Sequence, residues 1–148
     1  MHYAIRSKSK KERKGMKAYL NMKGFENYME KLVKLGGDID SAAIECLEVG
    51  QEIQYEEMKK GLERHKDTGE ALAALVKEPI QSDGSYHSVK TGTSIDANQA
   101  GFFHGIYQEY GSPTTKIDPW FRPAVDGTKR KIRAVWKQIF KAKGVDIS

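Results

Sequence analysis

One cysteine in 148 residues, Cys46, rules out an internal disulfide and leaves no thiol cluster for a structural metal. A lone thiol fits a reducing environment and packs as a small apolar core residue. No run of about 18 apolar residues occurs. The basic opening MHYAIRSKSKKERKG is not followed by an apolar segment, so neither a membrane span nor a secretory leader is expected. Signatures of common chemistry are missing as well: there is no GxxxxGK[ST] loop, no GxGxxG after a strand, and no HExxH, CxxC or GxSxG. His87, His104 and Glu109 come nearest to an acid–base set. The sequence places no activated nucleophile, oxyanion site or second carboxylate beside them. The expectation is a protein that is not an enzyme and holds no metal or cofactor.

What is present is a segregated charge. Residues 1–23 carry eight Lys and Arg against one acid, and residues 129–148 carry seven against one, whereas the middle holds ten basic and eighteen acidic side chains. Between 129 and 143 there is no acid at all. Such a distribution suits protomers that attract one another, or an assembly that turns one basic face toward a polyanion. With 39% apolar residues, the length fits one domain over 16–148, preceded by a flexible basic arm over 1–15.

Periodicity sets the expected elements. A short extended entry at AYLN leads to a helix with Phe25, Tyr28, Met29, Leu32 and Leu35 on one side, stopped by Gly36 and Gly37. Asp38 is a candidate N-cap for a long helix reaching about His65. That helix carries two apolar stripes, one of Ile39, Ala43, Cys46, Val49 and Ile53, the other of Ile44, Leu47, Tyr55, Met58 and Leu62. Two stripes imply burial on two sides, between a sheet and either another helix or a neighbouring subunit. A short helical piece at EALAALV ends at Pro79. His87, Val89, Thr91 and Thr93 then alternate with smaller or polar residues as a half-buried strand would, and 99–104 could return beside it. Phe103, Ile106, Tyr107 and Tyr110 fit a helix as well as a strand. A closing helix lines one face with Val125, Ile132, Val135/Trp136 and Ile139/Phe140 and turns Lys129, Arg130, Lys131, Arg133, Lys137 and Lys141 outward as candidate DNA-facing groups. The fold class is α+β: a long helix in the first half and a basic C-terminal helix packed on a small antiparallel sheet.

Residues 106–127, IYQEYGSPTTKIDPWFRPAVDG, hold three of the four prolines. Pro113, Pro119 and Pro123 restrict the chain on both sides of each ring, giving a stiff strut between Gly111 and the last helix. Pro123 suits the first turn of that helix, with Trp120 and Phe121 as anchors before it. Glu109 could accept from the Arg122 guanidinium across the strut. Tyr107, Glu109, Tyr110, Trp120, Phe121 and Arg122 are the candidate protein-interface residues.

The order of motifs resembles the minor tail component family of long-tailed bacteriophages, the small neck or head–tail joining proteins. The resemblance covers roughly residues 17–142 and rests on Lys23-Gly24-Phe25, Thr68-Gly69-Glu70-Ala71-Leu72, Tyr107-Gln108-Glu109-Tyr110-Gly111-Ser112 and Pro119-Trp120-Phe121-Arg122-Pro123-Ala124. The last two elements, at their mutual spacing, are the specific part. Tyr110 and Ser112 stand where the pattern has Phe and Thr, and the arm 1–15 has no counterpart in it. The resemblance implies a structural protein of the virion at the head–tail junction, present in the host cytoplasm during assembly, forming a homo-oligomeric ring. Its partners would be connector, head-closure and tail proteins, with non-specific contact to passing DNA and no membrane. A small nucleic-acid-binding protein using residues 1–15 and 129–143 is the alternative reading.

Overall fold

A computed structural model describes residues 4–6, 15–64 and 69–147. The fold is α+β, with five helices and five short strands among the described residues and the two long helices packed over a small antiparallel sheet. Strand β5 (Tyr86–Thr93) is central. On one side it pairs with β2 (Gly15–Asn21) in a register that sets Ala18 opposite Thr91 and Leu20 opposite Val89, and β1 (Ala4–Arg6) pairs with the far edge of β2. That pairing falls within the expected arm; residues 1–3 and 7–14 of the arm lie outside the described residues.

On its other side β5 takes two segments in succession, β3 (Leu75–Lys77) and β4 (Gln81–Asp83). Lys77 lies opposite Thr91 and Gln81 opposite Ser88, so the β3–β4 side contains one residue more than β5 between these pairs. The extra residue is a bulge at Pro79-Ile80, where proline has no N–H to give to the ladder. The inward face carries Met16, Ala18, Leu20, His87, Val89, Thr91 and Thr93, all buried, so the alternation expected for β5 is found.

Helix α1 (Glu26–Lys34) ends at Gly36, whose positive φ of 77° releases the chain while the Gly37 N–H returns to the Leu32 carbonyl. Helix α2 (Ile39–Glu63) starts where expected, the Asp38 carboxylate accepting from the N–H groups of Asp40 and Ser41. Helix α3 (Glu70–Ala73) is a single turn. Helix α4 (Gln99–Tyr110) replaces the returning strand expected over 99–104, capped by the Asn98 side chain on the Gly101 N–H at 2.7 Å. Helix α5 (Phe121–Ala142) closes the fold, with Pro123 in its first turn as expected.

The two buried sides of α2 are satisfied within the chain: it lies on the sheet, and α5 lies against it. The buried line differs from the two expected stripes, because Gly50, Gln51, Gln54 and Gly61 belong to it while Ile39, Val49 and Ile53 are only partly covered. Glycine lets α5 come close; a Cβ on Gly50 would sit 2.9 Å from Leu20 and 3.3 Å from Trp136. The core falls into two clusters. One joins Leu20, Phe25, Leu32, Cys46, Leu47, Val89, Ile132, Trp136 and Phe140. The other joins Met16, Met58, Leu62, Leu75, Trp120, Phe121 and Val125. Between them lie the buried polar groups Gln51, Gln54, Thr91 and Thr128.

Candidate functional site

The segment Tyr107–Ala124 is built around one carboxylate. Glu109, 4% exposed, accepts from the backbone N–H groups of Trp120 at 2.9 Å, Phe121 at 2.7 Å and Arg122 at 3.2 Å. These are among the first N–H groups of α5, which have no partner inside their own helix and form its positive end. A side chain from the last turn of α4 therefore caps α5. The expected ion pair with the Arg122 guanidinium is corrected here, since the carboxylate is taken up by the three amides. The guanidinium instead lies over the Tyr110 ring, 5.8 Å from its centre.

Trp120 completes the joint. Its indole N–H donates to the Gly105 carbonyl at 2.7 Å, and its side chain fits between two glycines. A Cβ on Gly105 would lie 3.2 Å from the ring, and one on Gly61 would lie 2.8 Å from the Trp120 Cβ. Phe121 packs edge-on against it. The intervening loop is tied at its far end, where the Asp118 N–H donates to the Gln108 carbonyl at 2.8 Å and Arg64 reaches the Pro119 carbonyl at 3.3 Å.

The six candidate interface residues thus divide. Glu109, Trp120 and Phe121 are internal and present no surface in the monomer, because the aromatic pair fills the gap between α2, α4 and α5. Tyr107 and Tyr110 lie on α4, so the strut proper is residues 111–120. Those two tyrosines, 43% exposed each, and Arg122 do face outward. Phe103, one turn before Tyr107, and Ile117 on the loop extend the same apolar character at the surface. Phe103, Tyr107 and Tyr110 follow the i, i+4, i+7 rule of one helix face. Partial burial holds the Tyr110 phenol above its usual pKa, against the lowering effect of Arg122.

The second surface is on α5. Arg130, Lys131, Arg133, Lys137 and Lys141 are exposed and Lys129 is half-buried, 3.5 Å from Asp126. Arg133 and Lys137 also line a cleft of about 390 Å³ against α1, with Gly24, Phe25, Tyr28, Glu30, Lys31 and Lys34. The exposed row of α2 is acidic: Glu45, Glu48, Glu52 and Glu56. Lys143 reaches Glu45 at 2.9 Å and Lys77 reaches Glu52 at 2.7 Å.

A third cluster escaped the sequence reading. The His87 ring bridges Ser82, Oγ to Nδ1 at 2.6 Å, and Asp40, Nε2 to Oδ1 at 2.8 Å. Hydroxyl, imidazole and carboxylate in line make the order of a nucleophile relay. Here they fasten the β4–β5 hairpin to the start of α2. The nearby amides of Asp40 and Ser41, which could otherwise meet an oxyanion, are already given to Asp38. His104 pairs with Glu70 at 3.5 Å. Among the described residues, no group of three or more His, Cys, Asp or Glu is placed to hold a metal ion, and no helix is long and apolar enough to cross a membrane.

The geometry defines an α+β protein with an aromatic face on α4 and a basic face on α5. No protein-family model matches the chain, and no match is found among curated proteins or solved structures.

Proposed function

We propose that this chain is a structural protein of a phage virion, a neck or tail-completion component that joins the head to the tail as one subunit of a ring. Its contacts are with copies of itself and with neighbouring connector, head-closure and tail proteins, and it catalyses nothing. The observation that carries the reading is the braced aromatic face: Phe103, Tyr107 and Tyr110 exposed in line on α4, with Ile117 beside them. A monomer gains nothing from three exposed aromatics in a row, whereas protein interfaces are enriched in such groups at their centres. The Glu109 clamp fixes that face relative to α5, so little conformational entropy is lost when it docks.

A ring needs one surface to meet a different surface on the next copy. The aromatic face of α4 is one of these surfaces, and it meets a different part of the next copy.

The test is the triple substitution Phe103→Ser, Tyr107→Ser, Tyr110→Ser. These side chains are only 39–43% exposed and Tyr110 packs under Arg122, so the variant loses some stability, and its thermal midpoint is measured to show that it is still folded at the assembly temperature. Particle assembly supplied with it should yield separate heads and tails under the electron microscope. Normal joining by the folded variant would reject the reading.

A further inference from the structure

We propose that the cleft between α1 and α5 binds the phosphate backbone of duplex DNA without reading bases. The inference deepens the joining-protein reading and rests on it for the biological role, while its test uses the protein alone.

Two elements converge on the cleft. Helix α1 contributes Lys31 and Lys34, and α5 contributes Arg133 and Lys137, against the single acid Glu30. Arg133 and Lys137 also border a second hollow of about 420 Å³ with Lys129 and Arg130, so the ridge they form has cations on both flanks. The groups are held in place: the Arg133 guanidinium lies over the Phe25 ring at 6.0 Å, and Lys31 donates to the Asp146 carbonyl at 2.9 Å. Along α5, Arg130, Arg133, Lys137 and Lys141 recur at helical spacing, extending about 16 Å at 1.5 Å per residue. One DNA strand presents a phosphate about every 3.4 Å of axis, so the row spans about five.

A protein occupant fits this face less well. Among the described residues no large exposed apolar side chain lies on α5 or lines the cleft; Val33 and Leu35 at the end of α1 are exposed but lie outside its walls, so an interface there would lack an apolar centre. The acidic row of a second copy is a poor match, because Glu45 and Glu52 are already engaged by lysines of their own chain. Single strands are disfavoured too, since stacking needs open aromatic rings. Phe25 is buried against Trp136 and Phe140, and Tyr28 leans on Phe25. Charge on a rigid ridge is what a polyanionic duplex requires.

The measurement is anisotropy of a labelled mixed-sequence duplex titrated with the full chain between about 50 and 200 mM salt. Expected is binding indifferent to sequence, with log K falling linearly in log salt. Arg133→Gln with Lys137→Gln should lower affinity at least about tenfold at the low end and flatten the slope by about 0.9 per contact removed. Lys31→Gln with Lys34→Gln should do the same, and carries the test if the first pair unfolds. Lys60→Gln with Lys116→Gln, the same charge change outside the cleft, should alter neither quantity. No binding by wild type at low salt would overturn the proposal, as would cleft variants that bind like wild type. Cleft variants that instead change only self-association would assign the face to a second copy. Failure in any of these ways leaves the joining test standing on its own result.

Discussion

Removing the Glu109 carboxylate is the sharpest perturbation available. Each of the three N–H bonds it accepts is charge-assisted, worth about 1.5–3 kcal/mol net, and the α5 dipole adds up to about 2 kcal/mol in a buried setting. Burying the carboxylate costs several kcal/mol, so these terms do not sum to the effect of the mutation. What the substitution exposes is the other half of the pair. Glu109→Ala leaves three inward-facing amides at the start of α5 without an acceptor, an imbalance of about 3–5 kcal/mol, close to the loss on breaking a buried ion pair. Glu109→Gln keeps one carbonyl oxygen but turns an NH₂ group toward donors, for about 2 kcal/mol. With total stability of about 5–15 kcal/mol, the alanine variant is marginal. Urea unfolding followed by tryptophan fluorescence reads this directly. At a slope of about 2 kcal/mol per molar, the midpoint falls by about 2 M for Ala and about 1 M for Gln. A Gln variant equal to wild type would refute the role of the charge. An Ala variant within about 0.5 M of wild type, a shift of about 1 kcal/mol at that slope, would refute the clamp altogether.

Two further outcomes follow from the packing. Gly101→Ala should cost more than Gly61→Ala in the same assay, because a Cβ at 101 would fall 1.7 Å from the rigid Glu70 carbonyl oxygen, whereas at 61 it meets the Trp120 Cβ at 2.8 Å; the reverse order would contradict the α3–α4 contact. Cys46, fully buried, has its thiol pushed up to about 12, mainly by burial with Glu45 adding to it. A thiol reagent at pH 8 should therefore label it only at the rate of unfolding. The folded state holds the thiol proton more tightly than the unfolded one, so this group's contribution is intact below pH 9. It declines by up to about 1.4 kcal/mol per unit as pH rises toward 12. Fast labelling of folded protein would count against the burial.

Elements with their own chemical signal were legible in the sequence. The Asp38 cap, the double-glycine stop after α1, the alternation of β5 and the apolar face of α5 all lie where local rules put them. The misreadings share a cause. The return strand expected over 99–104 is instead helix α4, in which Gly101 and Gly105 let the helix approach the α3 backbone and the Trp120 ring. Gln51 and Gln54 belong to neither expected stripe of α2, yet both are buried, and Gln51 spends its amide on the carbonyls of Glu78 and Lys90 under the bulge. Glu109 invited pairing with the nearest cation, since backbone amides carry no letter in a sequence. Trp120 and Phe121 looked like surface anchors because a proline-rich connection does not reveal which side faces in.

The belt of Gln51, Gln54, Thr91 and Thr128 is a polar seam between the two apolar clusters. The oxygens Gln54 Oε1 and Thr91 Oγ1 find no hydrogen-bond partner in the protein, so water entering there is welcomed rather than repelled. Strand β2 and the helices α2 and α5 nevertheless run unbroken through both clusters, so the end bearing Trp120 and the end bearing Trp136 stay mechanically joined across the seam.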